Sequence, residues 1–196
     1  MSTRIQEGAF EFEFGDSWKV LKYDESPEYE KGIRKLSGIW KREPDGSKHY
    51  RGSKGIDILA SRDKRRIVFI EVKDFRKAPH NAEPRIRDEL SLEVAFKACD
   101  TVAGVVGSCR SPSSNSMFSH VAPLLIDEGC SVEVILWLEV TSGSSDTDCM
   151  RRKLLLSVVM NKLKQSCVWL TKAVFVVCAD EYETVLDDLA VVDLTR

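Results

Sequence analysis

The chain has 196 residues, 43% of them apolar and 31% charged, with a formal net charge of −2. That length and composition describe one soluble globular domain with enough apolar material for a sizeable core. A near-neutral balance excludes a strongly basic protein that coats nucleic acid through bulk charge, and leaves room only for a local basic patch.

The N-terminal "MSTRIQEGAFEFEF" has no apolar signal-peptide region, and the longest apolar stretch, "VEVILWLEV", falls far short of a bilayer span of about 20 residues. The expected location is the cytoplasm, with no membrane partner. The six cysteines, at 99, 109, 130, 149, 167 and 178, are never closer than ten residues. This lacks the short ligand spacing of a structural zinc site and suits free thiols in a reducing compartment.

In chain order, "FEFEF" (10–14) alternates apolar and acidic residues, the pattern of a strand with one wet face. "SPEYEKGIRKL" predicts a helix over about 27–37, with Ser26 as N-cap, Pro27 at the first position, and Tyr29, Ile33 and Leu36 on one face. "KREPDGSKHYRGSKG" (41–55) reads as a loop, rich in glycine, proline and charge. Two strands follow, about 55–60 and 67–73, joined by the turn "SRDKRR". "KAPHNAEP" is a second loop. A long helix is predicted over about 87–106, with Leu90, Val94, Ala98, Val102 and Val105 as its buried stripe.

"SCRSPSSNS" is small and polar, the expected mobile segment. "MFSHVAPLLIDEG" is read as helical despite Pro123, "SVEVILWLEV" as a buried strand and "SGSSDTD" as a loop. "MRRKLLLSVVMNKLKQS" is an amphipathic helix, "KAVFVVCA" a buried strand, and "DEYETVLDDLAVVDL" a short helix with an edge strand. The order is mixed α/β in a single domain over 1–196, with a core at about 10–140 and a helix–strand extension over 150–196.

Two apolar runs, "GIDIL" and "RIVFIEVKDF", carry Asp57, Glu71 and Lys73 where charge is normally kept out. On a strand Glu71 and Lys73 share a face with Ile67 and Phe69, while Val68, Ile70 and Val72 face the other way. An antiparallel hairpin centred on Lys64 would set Asp57 directly opposite Glu71, a relation that a one-residue slip would destroy. Opposed carboxylates repel and raise at least one pKa unless a cation lies between them. A divalent Mg²⁺ or Mn²⁺ ion supplies one, since hard oxygen ligands suit these ions, and Lys73 beside it would orient water or neutralise charge on a phosphate. The competing reading is a salt-bridge network in which Lys73 spans both carboxylates.

With "GIDIL…FIEVKD" in place, the sequence resembles the PD-(D/E)xK, or restriction-endonuclease-like, nuclease superfamily over about residues 10–140. "KACDTVAGVVG" resembles the corresponding helix of a bacterial family that shares this core. The resemblance implies a helix, three antiparallel strands, a helix and a fourth strand, here "SVEVILWLEV". The expected fold is thus a restriction-endonuclease-like mixed sheet with an N-terminal antiparallel hairpin flanked by helices. It also implies a metal-dependent nuclease in which Asp57 and Glu71 bind Mg²⁺ (or Mn²⁺) and Lys73 assists the attacking water. Ile56 stands where the superfamily's pattern often has proline. Many members add an acidic residue on the first helix; "YDESPEYEK" offers Asp24, Glu25, Glu28 and Glu30, of which Glu30, inside the helix, is the favoured candidate.

Residues 62–87 hold nine Lys or Arg against four Asp or Glu. Arg76, Lys77, Arg85 and Arg87 are the candidate phosphate contacts. The tip cluster of Arg62, Lys64, Arg65 and Arg66 reads better as a solvated turn. Glu89, Glu93, Lys97 and Asp100 fall on one helical side at spacings that make a paired, solvated face, with Lys97 as an alternative phosphate contact. The histidines at 49, 80 and 120 are scattered, and neither a P-loop nor a GxGxxG motif is present. The expected partner is nucleic acid, DNA before RNA, in defence or repair, with a protein partner or homodimer to supply target choice. The alternative is a catalytically inactive nuclease-fold subunit that binds or assembles.

Overall fold

The computed structural model describes residues 2–36, 39–42, 48–51, 53–77, 82–110, 116–141 and 145–195. Its centre is a five-stranded mixed sheet. β3 (Trp18–Lys22), β6 (Ile58–Arg62) and β7 (Arg66–Asp74) run antiparallel, and β8 (Ser131–Glu139) and β9 (Ala173–Val177) continue parallel to β7. A parallel step needs a crossover. α3 (Leu90–Ser108) and α4 (Ser116–Leu125) lie between β7 and β8, and α5 (Asp146–Cys167) between β8 and β9.

A second, three-stranded antiparallel sheet is ordered β1 (Thr3–Glu7), β2 (Phe10–Phe14), β10 (Leu189–Asp193). The period-two pattern of "FEFEF" does what it predicts: Phe10, Phe12 and Phe14 are fully buried, while Glu11 and Glu13 face outward to Arg4. The three rings sit on one face of the large sheet, in a core with Ile58, Val68, Ile70, Ile135 and Trp137. Phe12 meets the Trp137 indole edge-on at 5.1 Å. The opposite face carries Leu59, Ile67, Phe69, Val134 and Leu136 against Val94, Ala98 and Val105 of α3, Phe118 and Val121 of α4, and Val159 and Leu163 of α5. The large sheet is therefore covered on both faces, which is why β7 and β8 are apolar on both sides.

Several boundaries differ from expectation. The helix predicted over 27–37 is a single α turn, α1 (Pro27–Lys31), followed after Gly32 by a 3₁₀ turn, Ile33–Leu36. Its predicted cap is present, with Ser26 Oγ accepting from Tyr29 N at 3.2 Å. The loop expected over 41–55 contains a short hairpin, β4 (Ile39–Arg42) with β5 (Lys48–Arg51). The long helix is divided at Glu89 into α2 (Glu83–Asp88) and α3. β1 and β3 have no counterpart in the sequence reading, because each is only five residues long and rich in charge. The segment over 150–196 is woven into the rest: β9 extends the large sheet and β10 pairs with β2. Of the expected mobile stretch, 108–116, Ser108 ends α3 and Ser116 opens α4, while 111–115 lie outside the described residues, as does His80.

Among the described residues no helix is long and apolar enough to cross a membrane.

Candidate functional site: a buried cluster of carboxylates and lysines

The β6–β7 hairpin fixes the centre. Its ladder runs from Arg62↔Arg66 to Ile58↔Ile70, so the next step places Asp57 across from Glu71, the relation expected for a turn centred on Lys64. The register is held by a tight three-residue connection, 63–65, with Asp63 (φ 50°) and Lys64 (φ 56°) both left-handed and Arg65 N donating to Arg62 O at 3.0 Å. That turn matches the twist of a hairpin.

Glu71 points to the helix-covered face, together with Ile67 and Phe69, and is 0% exposed. Asp57 is 5% exposed and caps the end of the ladder, where its Oδ2 accepts from Val72 N at 2.7 Å. α3 sets the approach to Asp57 from above. Asp100 Oδ2 accepts from Lys54 N and Thr101 Oγ1 from Ile56 N, both at 3.0 Å. Tyr23 N donates to Asp57 O at 2.9 Å, so β3 closes the third side.

Two lysines meet the carboxylates. Lys73 Nζ lies 2.7 Å from Glu71 Oε1 and 3.4 Å from Glu93 Oε1. Lys97 Nζ lies 2.5 Å from the same Glu71 oxygen and 3.2 Å from Asp57 Oδ1, bridging the pair. The bridge between the two carboxylates is thus Lys97 and not Lys73. This overturns the solvated-face reading of Lys97, which is only 8% exposed. On α3 it lies three residues beyond Val94 and four before Thr101, both fully buried, so it enters the stripe that faces the sheet. Glu93 and Asp100, on the margin of that stripe, pair inward too, while Glu89 stays exposed at the helix start.

The electrostatics follow from burial. Glu71 is pushed up to about 7 by burial and by the neighbouring Asp57 charge, against the pull of Lys97 and Lys73. Burial works against the Lys97 charge, but Glu71 and Asp57 outweigh it and hold its pKa well above the ordinary lysine range. Glu71 Oε2 is buried with no hydrogen-bond partner among the described residues. An orphaned buried oxygen of this kind is costly, and rare in a purely structural ion pair.

Of the acidic candidates on the 24–30 segment, Glu30 is exposed and pairs with Arg34 at 2.9 Å. The one coupled to the centre is Asp24, raised to about 6 by burial and then by Asp57, with a buried Oδ1 that has no partner among the described residues. The sequence signal for it was weak: an aspartate just before the helix, at the end of a strand the sequence reading did not contain.

The proposed phosphate contacts are scattered in environment. Arg76 is committed to structure: it pairs with Asp74 at 2.7 Å and with Asp193 of β10, and stacks over Phe10 at 4.9 Å. Lys77 is exposed. Arg85 and Arg87 are exposed on α2, where Arg85 reaches Glu93 at 3.4 Å and Arg87 reaches Asp88 at 2.8 Å. At the hairpin tip, Lys64 and Arg65 are solvated as expected, whereas Arg62 and Arg66 turn back to Asp187 at 2.5 and 2.9 Å.

Whether the cluster suits a divalent ion turns on its donors. No group of three His, Cys, Asp or Glu side chains is gathered at metal-binding spacing among the described residues. Mg²⁺ commonly needs only one or two protein carboxylates, completed by water and substrate phosphate. Asp57 and Glu71 supply two hard carboxylates, one with an oxygen that nothing satisfies. The residues fit.

Comparison with protein-family models, curated proteins and solved structures finds no match for this chain.

Proposed function

We propose that the protein is a metal-dependent nuclease that hydrolyses phosphodiester bonds, with DNA the first substrate to consider. The observation that carries this reading is the pairing of Asp57 and Glu71 across the hairpin, beside Lys73, with Glu71 Oε2 buried and unsatisfied. A structural salt bridge has no use for that open oxygen, whereas a Mg²⁺ or Mn²⁺ site does. The element order also supports the restriction-endonuclease-like reading: three antiparallel strands (β3, β6, β7), helix α3, then β8 parallel to β7. It departs from that pattern in carrying α1 between β3 and β6 instead of ahead of the first strand.

A divalent ion held by Asp57 and Glu71 would lower the pKa of an attacking water and polarise a phosphoryl oxygen. The chain's own residues do the rest. Val72 N fixes the Asp57 carboxylate, Glu93 holds Lys73 at the mouth of the cluster, and Lys73 faces the charge that builds up on the phosphate. Lys77, Arg85 and Arg87, each exposed, would meet the nucleic-acid backbone.

Lys97 favours a second reading. Because it already bridges both carboxylates, the fold would also serve as a catalytically inactive subunit that binds nucleic acid or assembles with a protein partner or a second copy. Incubation with fluorescent single- and double-stranded DNA and RNA, in Mg²⁺ and in Mn²⁺, separates the two. Cleavage by the wild type that is lost in Asp57→Asn and in Lys73→Ala supports the enzyme. Absence of cleavage on every substrate with both metals leaves the binding subunit, to be followed by gel-shift titration.

A further inference from the structure

The charged side chains of the centre alternate in sign along one line: Arg85, Glu93, Lys73, Glu71, Lys97, Asp57. The line runs from an exposed guanidinium to a carboxylate at the end of the hairpin, and every contact in it is 3.4 Å or less. Its inner member is unusual. Lys97 places an ammonium between the two carboxylates that the proposed function needs for a divalent ion. The two cations cannot share that position, because like charges at such separation repel strongly in a water-poor environment.

We propose that Lys97 is a gate on metal loading: a resident counter-ion that holds Asp57 and Glu71 together in the metal-free protein and must swing aside when a divalent ion enters. The inference rests on the metal-dependent reading above. Three features suit Lys97 to the part. Its stem is long and flexible, so the ammonium can move while the helix stays in place. The helix itself is anchored independently, by Val94, Ala98 and Val105 in the core and by Thr101, whose hydroxyl accepts from Ile56 N at 3.0 Å. A second acceptor also lies within reach: Glu93, one helical turn earlier on α3, whose carboxylate already feels the Lys97 charge. The same residue thus lets two opposed carboxylates fold without metal and keeps them from capturing a divalent ion indiscriminately.

Titration calorimetry with Mn²⁺ alone, on wild type, Lys97→Met and Lys97→Arg, tests the gate. Folding of each variant is checked by circular dichroism. The gate predicts weak binding in wild type, binding at least about tenfold tighter in Lys97→Met (about 1.4 kcal/mol), and wild-type-like binding in Lys97→Arg. Equal or weaker binding in Lys97→Met, with binding retained in wild type, overturns the gate and leaves the metal site standing. Absence of Mn²⁺ binding in both folded proteins overturns the metal reading itself and the gate with it.

Where Lys97→Met does not fold, wild-type protein decides. Acetylation of Lys97 by acetic anhydride, followed by peptide mass spectrometry, should be slower than that of Lys73 without metal and rise several-fold with saturating Mn²⁺. A Lys97 labelling rate unchanged by Mn²⁺ refutes the gate.

Discussion

Replacing Glu71 by glutamine removes one charge and almost no volume, and the sign of its effect on stability separates a binding centre from a structural salt bridge. In the folded protein the Glu71 carboxyl is raised from 4.5 to about 7, by burial first and by Asp57 second. An acid whose pKa is raised by folding contributes stability below its unfolded value and loses it as the pH climbs through the folded one. The loss here falls between about pH 4.5 and 7, and at 1.36 kcal/mol per pH unit it amounts to about 3 kcal/mol at most. Glutamine escapes that loss. Lys97 keeps Asp57 at 3.2 Å and Lys73 keeps Glu93 at 3.4 Å, so neither lysine is stranded.

Glu71→Gln should therefore match wild type near pH 4 and exceed it by about 1–3 kcal/mol at pH 8. For a chain of this length, at about 2.1 cal/mol/K per residue, that is a rise in melting temperature of about 2–7 °C. The same variant should lose cleavage and Mn²⁺ binding, the usual exchange of stability against function at a strained centre. Scanning calorimetry and urea unfolding at pH 4, 6 and 8 give the answer. A structural ion pair predicts the opposite sign, a loss of about 3–5 kcal/mol when one partner is removed. Destabilisation of that size at pH 8 would refute the reasoning.

Asp24→Asn should behave similarly on a smaller scale: neutral near pH 4 and stabilising by about 1–2 kcal/mol above pH 7, since burial and Asp57 raise Asp24 to about 6. A melting temperature at pH 8 equal to wild type would count against that coupling. Arg66→Met should cost about 3–5 kcal/mol, because it strands Glu133, which Arg66 holds through two 2.8 Å hydrogen bonds, and breaks its contacts with Asp187 and Val185 O. A denaturation midpoint within error of wild type would show the fork to be dispensable. Gly104→Ala should destabilise by about 1–3 kcal/mol although alanine favours helix, because its Cβ would come 2.1 Å from the hydroxyl of fully buried Tyr23; a gain in thermal stability would refute the close approach.

Local pattern determined much of this protein. The alternation in "FEFEF", the Ser26 cap, the apolar runs of β7 and β8 and the hairpin register are properties of neighbouring residues, and period two or 3.6 is enough to read them. The opposition of Asp57 and Glu71 belongs to the same class, because a three-residue turn centred on Lys64 carries the register along the chain by counting.

What only the tertiary structure decided depends on which faces meet. Lys97 reads on a helical wheel as one of four charges on a wet side, and it becomes the centre's bridging cation because α3 lies across the sheet with that edge turned inward. Arg76 reads as a free basic residue and is consumed by Asp193, which lies more than a hundred residues away on a strand that pairs with β2. Asp24 joins the centre and Glu30 does not, because β3 ends beside Asp57 whereas Glu30 faces Arg34 on the exposed side of α1. Sequence spacing sets which residues can share a face. The direction of that face is set by burial of the whole sheet between helices on one side and the β1-β2-β10 strands on the other, a choice made by long-range packing and invisible to any short window of residues.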